Sequence, residues 1–264
     1  MRRLRSVAKG FGAVLIAPLV TLGILGAVHL ASRHHGHHTP PAAAASPVAT
    51  NGAAASPAAC PWQVTLIGTV AARSVRARAA PSATAPVVGM FGRRNVQGNP
   101  QVFFLLDAQV VRTQTWFRAL LPVRPNGTTG FIRESGLRLS RTSYHLTVSK
   151  EQRRLTLWKG CTAVRTYPVA IGTKTTPTPT GLFYLASLVR PPTANSVYGT
   201  YAFGLSGYSP VIRTWKWGGV IGLHGTNDPS SIGHYTSHGC IRLFNRDIGQ
   251  LVRILPLGTP IAIN

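Results

Sequence analysis

Residues 220–243 read VIGLHGTNDPSSIGHYTSHGCIRL. The run opens on the apolar stretch Val220–Leu223, which reads as a strand and brings His224 to its end. Sixteen residues on, a turn bracketed by glycine brings Cys240. Cysteine attacks as the thiolate, and an imidazole within reach can take its proton and later return it to a leaving amine. Gly239 permits a tight turn, so the N–H groups of Gly239 and Cys240 can converge on a developing oxyanion. The cation of Arg242 favours the thiolate or holds a substrate carboxylate. Together these are the parts of acyl transfer through a thioester. Two other readings stay open on these residues alone. A buried thiol beside a core histidine gives the same pattern. His224, His234, His238 and Cys240 are also ligand types for zinc, although their spacing matches no common zinc motif.

On the N-terminal side of this run, Tyr144–Ser149, Arg154–Trp158 and Val164–Ile171 read as strands, with Lys159-Gly160 in a hairpin turn. Thr176-Pro177-Thr178-Pro179-Thr180-Gly181 is a rigid, turn-rich segment leading into the strand Leu182–Leu185. The stretch Val189–Gly219 is rich in Gly, Pro and aromatic residues and too long for a simple turn, which predicts a lid or binding loop. Its Tyr198, Tyr201, Trp215 and Trp217 either wall a groove or pack beneath the lid. On the C-terminal side, Asn245 is expected to cap a helix with Ile248, Leu251, Val252 and Leu255 on one face. Pro256-Leu257-Gly258 ends that helix, and Pro260–Ile263 reads as a last strand.

The strings HGTNDPSSIG and SHGCIRL resemble the signature of the L,D-transpeptidase catalytic domain, the YkuD-type fold. TPTPTGLFYL (176–185) and LPLGTPIAI (255–263) are similar to its flanking segments in order and spacing, so the resemblance spans 142–264. It implies a β-rich catalytic domain with one C-terminal helix and no cofactor. It implies roles as well. Cys240 would be the nucleophile on the carbonyl before the terminal D-Ala of a tetrapeptide stem, and His224 the general base. The backbone carbonyl of Gly225 would orient the imidazole, with Asp228 as the alternative orienter. Gly239 would supply an oxyanion N–H, His238 would shape the pocket, and Ser237 would orient the loop. Arg242, Tyr201, Trp215 and Trp217 are the expected substrate contacts, and His234 has no role. The expected activity is a peptidoglycan 3→3 cross-linking transfer between donor and acceptor stems, with Cys240 open to acylation by carbapenems. An L,D-carboxypeptidase using the same thioester and a non-catalytic wall-binding protein are the rivals.

Further out, Val64–Val70, Gln101–Leu106, Trp116–Leu121 and Gly130–Ile132 are short β-rich runs, with Pro125-Asn126-Gly127 as a turn. They predict a small all-β barrel or sandwich over 60–141. VRARAAPSATAPVVG (75–89) and WFRALLPVRPNGTTGFIRESGL (116–137) resemble the bacterial Src-homology-type small barrel, which implies a wall-peptide-binding module or a plain scaffold. The fold class is therefore mainly β: a small all-β barrel module, then a YkuD-type catalytic domain. Residues 34–59 are an Ala/Pro/His-rich linker, whose four histidines read as a solvated patch or a weak metal site.

The N-terminus sets the compartment. Arg2, Arg3, Arg5 and Lys9 precede an apolar stretch, Phe11–Ala31, long enough to cross a bilayer at about 1.5 Å per residue. Residues 1–33 are expected to anchor the chain in the cytoplasmic membrane with the rest outside; a cleaved signal is the alternative. Export makes a Cys60–Cys161 disulfide an option and leaves Cys240 as the odd thiol. The 264 residues carry 28 Lys plus Arg against five Asp plus Glu, a net charge of +23. So few carboxylates exclude a paired-carboxylate glycosidase, and three cysteines exclude a four-cysteine metal site. The charge suits anionic cell-wall polymers or lipid headgroups, or reflects an Arg-rich composition with no partner. No nucleic-acid-binding pattern is present, so nucleic acid is not an expected partner.

Overall fold

The computed structural model describes residues 63–193 and 195–264. The predicted membrane segment (1–33), the linker (34–59) and Cys60 lie outside the described residues. Among those described, no helix is long and apolar enough to cross a membrane. The described residues are mainly β, with one α-helix among them, α1 (Asn245–Ile254).

The first half is a curled antiparallel sheet of β1 (Thr65–Val70), β2 (Ser74–Arg78), β3 (Val87–Gly92), β4 (Val102–Val111), β5 (Gln114–Leu120), β6 (Thr129–Arg133) and β7 (Leu137–Thr142). Their order is β3-β2-β6-β5-β4-β1-β7, with β3 and β7 as the two ends. Alternate side chains on a strand face opposite ways, so a run buried throughout must be covered on both sides. Val102–Leu105 on β4 is such a run. Phe103 and Leu105 pack inward on Val75, Ala77, Phe117, Ala119, Leu121 and Ile132. Val102 and Phe104 face the other way, with Ile67 and Leu120, onto Tyr184 of the second half. The Tyr184 hydroxyl crosses that seam to donate to the Val102 carbonyl at 3.0 Å. The seam is tight: a Cβ at Gly258 would come within 2.5 Å of Ile67 Cγ2.

The second half holds β8 (Tyr144–Ser149), β9 (Arg154–Lys159), β10 (Thr162–Pro168), β11 (Ile171–Gly172), β12 (Gly181–Val189), β13 (Ala202–Tyr208), β14 (Val220–His224), β15 (Tyr235–Ser237), β16 (Ile241–Arg242) and β17 (Pro260–Ile263). Eight of these form one sheet in the order β10-β9-β8-β17-β12-β13-β14-β16, while β11 and β15 pair separately. β17 runs parallel to β8, and β14 parallel to β16. Ile248 and Leu251 of α1, with Leu255 just beyond it, lie on one helical face and close the core over Leu146, Phe183, Phe203, Leu223 and Ile261.

Two expectations need correction. Asn245 is not the cap of α1: Phe244 stands at that position, and Asn245 is the first helical residue with its side chain used elsewhere. The stretch Val189–Gly219 is not one long lid. β13 runs through its middle and leaves two loops, 190–201 and 209–219. The small residues of β13 are imposed by its neighbour β12: a Cβ at Gly207 would meet the Phe183 ring at 2.3 Å, and one at Gly204 would meet Ser187 Oγ at 2.4 Å.

Candidate active site

β14 lies between β13, antiparallel to it, and β16, parallel to it. The register of the parallel pair, Leu223 with Ile241 and His224 with Arg242, sets Cys240 beside Gly222. The Gly222 N–H donates to Cys240 Sγ at 3.3 Å. Residues 222 and 224 share one face of the strand. Because residue 222 has no side chain, that face is open between the ring and the sulfur. A Cβ there would lie 3.1 Å from His224 Cδ2 and 3.5 Å from Cys240 Sγ. The imidazole and the thiol thus border the same small gap.

His224 is 3% exposed. Its Nδ1–H donates to the Gly225 carbonyl at 2.5 Å. A carbonyl only accepts, so the proton sits on Nδ1 and the Nε2 lone pair is available as a base. Asp228 does not orient the ring; its carboxylate takes the Ser230 hydroxyl at 2.5 Å. Burial lowers the His224 pKa to about 4; the Gly225 bond opposes this, and the Arg242 charge adds to it. Burial raises the Cys240 thiol above its usual value, against the Gly222 N–H and Arg242, which pull it down. Both shifts favour the neutral pair of thiol and imidazole over an ion pair at rest.

The Cys240 turn is braced by hydroxyls. Ser237 Oγ donates to the Cys240 carbonyl at 2.5 Å and accepts the Gly239 N–H at 3.1 Å. That N–H, the expected oxyanion donor, is therefore engaged within the turn. Gly239 holds φ +112°, where a side chain is strained. Thr178, from the TPTPT segment, donates to the Gly239 carbonyl at 2.9 Å and accepts the Gly172 N–H at 2.8 Å. This gives the rigid segment 176–180 a purpose that its spacing did not reveal.

Asn245 is the site residue that the sequence reading missed. Its Oδ1 accepts the N–H groups of Thr226 at 3.1 Å and Thr200 at 3.2 Å, and its Nδ2 donates to the Thr226 carbonyl at 3.0 Å. It pins the turn after His224 to the loop 190–201. A Cβ on Gly225 would sit 2.1 Å from that Oδ1, so the residue that orients the imidazole has to be glycine. The only signal for this was an Asn one residue inside a helix start, which also fits a cap.

Of the other expected residues, His238 is exposed, with its ring 5.3 Å from that of Trp215. Trp215 and Trp217 are 47% and 42% exposed. Tyr201 packs against the core, and its carbonyl accepts the Gly225 N–H at 3.1 Å. The Tyr198 ring stands edge-on to His224 at 5.0 Å. The Arg242 backbone exchanges two hydrogen bonds with Ala170, while its Nε is buried without a partner. His234 is exposed. Cys161 is disulfide-bonded and Cys240 is a free thiol. Among the described residues, no three His, Cys, Asp or Glu side chains gather as metal ligands would.

Part of the chain is similar to known proteins. Residues 143–263 match the family described as the L,D-transpeptidase catalytic domain, YkuD. The chain is 40% identical over 121 residues to the YkuD protein of Bacillus subtilis and 39% identical over 120 residues to its Bacillus licheniformis namesake. Each match covers 46% of this chain, and 66% and 65% of the respective relatives, so the chain spans just under two thirds of their length. An L,D-transpeptidase structure from Mycobacterium smegmatis aligns with a TM-score of 0.38 at 15% identity, over 57% of this chain and 90% of that one. The part of the chain that holds His224 and Cys240, residues 143–263, is thus similar to the YkuD-type L,D-transpeptidase catalytic domain.

Proposed function

We propose that the protein is a peptidoglycan L,D-transpeptidase that forms 3→3 cross-links through a thioester on Cys240. The observation that carries this is the gap at Gly222, bordered by the His224 ring and the Cys240 sulfur, with Nδ1 of the ring tied to Gly225. Nε2 takes the thiol proton as Sγ attacks the carbonyl before the terminal D-Ala of a donor stem. The tetrahedral oxyanion faces the Cys240 N–H, since that of Gly239 is held by Ser237. Collapse breaks the peptide bond, and the leaving D-Ala nitrogen takes the proton from Nε2. The side-chain amine of an acceptor stem then attacks the thioester carbonyl and passes a proton to Nε2; the C–S bond breaks, and the departing sulfur takes that proton back as the thiol. Arg242 lies near enough to bias both titrations and stabilises negative charge during the transfer.

The Arg2–Lys9 charges and the apolar stretch 11–31 support anchoring in the cytoplasmic membrane with the catalytic half outside. The net charge of +23 supports residence among anionic wall polymers. The test is intact-mass measurement of the protein incubated with a tetrapeptide donor and, separately, a carbapenem. A thioester adduct on Cys240 and cross-linked dimer stems are expected. Free tripeptide without dimer assigns the carboxypeptidase reaction instead, and the absence of any adduct sinks the enzymatic reading.

A further inference from the structure

The loop 209–219, which joins β13 to β14, is fastened by the other half of the molecule. The turn after β5 reaches across to it. The guanidinium of Arg124 gathers three of its carbonyls: Nη1 donates to Ser209 at 2.9 Å, and Nη2 to Gly218 at 2.9 Å and Ile212 at 3.3 Å. The same group lies 4.8 Å over the Tyr208 ring. Two residues on, Asn126 acts like a strand partner to Tyr208. Its Oδ1 accepts the Tyr208 N–H at 2.9 Å and its Nδ2 donates to the Tyr208 carbonyl at 2.8 Å. The Tyr208 hydroxyl completes the clasp on the Pro122 carbonyl at 2.9 Å.

The loop needs such a clasp. Trp217, Gly218 and Gly219 hold φ of 63°, 70° and 75°, and the first of these is a bulky residue in the left-handed region. A conformation of that cost persists only where surrounding contacts determine it. Three carbonyls converging on one point also repel one another unless a donor sits among them, and a planar guanidinium with five N–H groups fits that place as an ammonium cannot. Between the clasped residues Ile212 and Gly218, Trp215 reaches the ring of His238, two residues before Cys240.

We propose that Arg124 is a positioning residue for donor recognition: by closing the loop 209–219 it holds Trp215 against His238 as one wall of the acyl-donor groove. The inference rests on the transpeptidase reading, which supplies the donor. It makes the seven-stranded sheet part of the site without contributing a group to the chemistry.

The variants Arg124→Ala, Arg124→Lys and Trp215→Ala test this in the full chain. In R124A the KM for a tetrapeptide donor rises about 10-fold, the order of a lost charge-assisted contact, while kcat changes little. Alkylation of Cys240 by iodoacetamide, a reagent too small to need the groove, keeps its wild-type rate. R124K recovers little of the loss. In the double variant R124A/W215A the two effects do not add, because one acts through the other. Trypsin gives a readout independent of catalysis, since the loop carries Arg213 and Lys216: R124A is cut there faster than wild type. An R124A chain that reacts normally with donor and resists trypsin overturns the proposal. So do strictly additive effects, or a parallel fall in alkylation. A wild-type chain with no donor adduct overturns the transpeptidase reading, and the donor role of Arg124 with it. The fastening of the loop is then still decided by trypsin.

Discussion

The turn that carries Cys240 and the loop that carries Trp215 flank His238, and they are held in opposite ways. The Cys240 turn is fixed from within its own half, by the Ser237 and Thr178 hydroxyls and by parallel pairing of β16 with β14. The Trp215 loop is fixed from the neighbouring sheet, by Arg124 and Asn126. Reacting atoms tolerate little misplacement, and short local bonds define their positions best. A wall that meets a long peptide tolerates more and can be set from a distance. The difference teaches that the half holding His224 and Cys240 braces that pair from within, whereas the Trp215 loop, the proposed recognition wall, is braced from the other sheet.

The sharpest break comes at the sulfur. Cys240→Ala is expected to lose all adduct with donor or carbapenem in intact-mass spectra, with the fold unchanged by circular dichroism. Next, His224→Ala should slow acylation about 10²–10⁴-fold, the usual contribution of a positioned base; an unchanged rate would pass that role to His238. Thr178→Val separates the two kinds of fastening. It strips partners from the buried Gly172 N–H and Gly239 carbonyl, at a cost of about 1–3 kcal/mol in stability. Unlike R124A, it should depress iodoacetamide alkylation and donor acylation together; a Thr178→Val chain that loses donor reactivity alone would erase the distinction.

The smallest effects are in pH. With the thiol raised and the imidazole lowered, iodoacetamide alkylation should keep climbing above neutrality. A plateau reached below pH 7 would mean a preformed thiolate–imidazolium pair. His224 also bears on stability. Its folded pKa of about 4 lies below the ordinary value of about 6.5, so the unfolded chain binds the proton first as pH falls. Its contribution is intact above pH 6.5, erodes below that, and is gone once pH has passed through 4. His224→Gln should flatten that part of the thermal-unfolding profile.

Much of the second half was legible because its signals are local. The strands Tyr144–Ser149 and Pro260–Ile263 fall where alternation and turn residues put them, and α1 keeps its predicted apolar face. The placement of His224 and Cys240 was legible, one at a strand end and the other in a glycine turn, and the structure brings both to the gap at Gly222. What escaped was set by neighbours distant in sequence. β13 reads AFGLSGY and looks like a loop, because Phe183 and Ser187 forbid larger residues there. Asn245 looked like a cap, because nothing in a helix start announces that its amide will reach Thr200 and Thr226. Gly239 was read from its own flexibility, whereas Ser237 decides where its N–H points. In the first half, Arg124 was one arginine among many until Ser209, Ile212 and Gly218 were seen around it.

The seam around Tyr184 bears on how the molecule can be divided. A fragment cut just ahead of Tyr144 would keep His224 and Cys240 and would lose the cover over Tyr184, Leu182, Ala186 and Leu257. Each large apolar side chain stripped of its cover forfeits roughly 1.5–3 kcal/mol, so such a piece is expected to expose an apolar patch prone to association. A shortened chain for inhibitor screening is better begun upstream of β1.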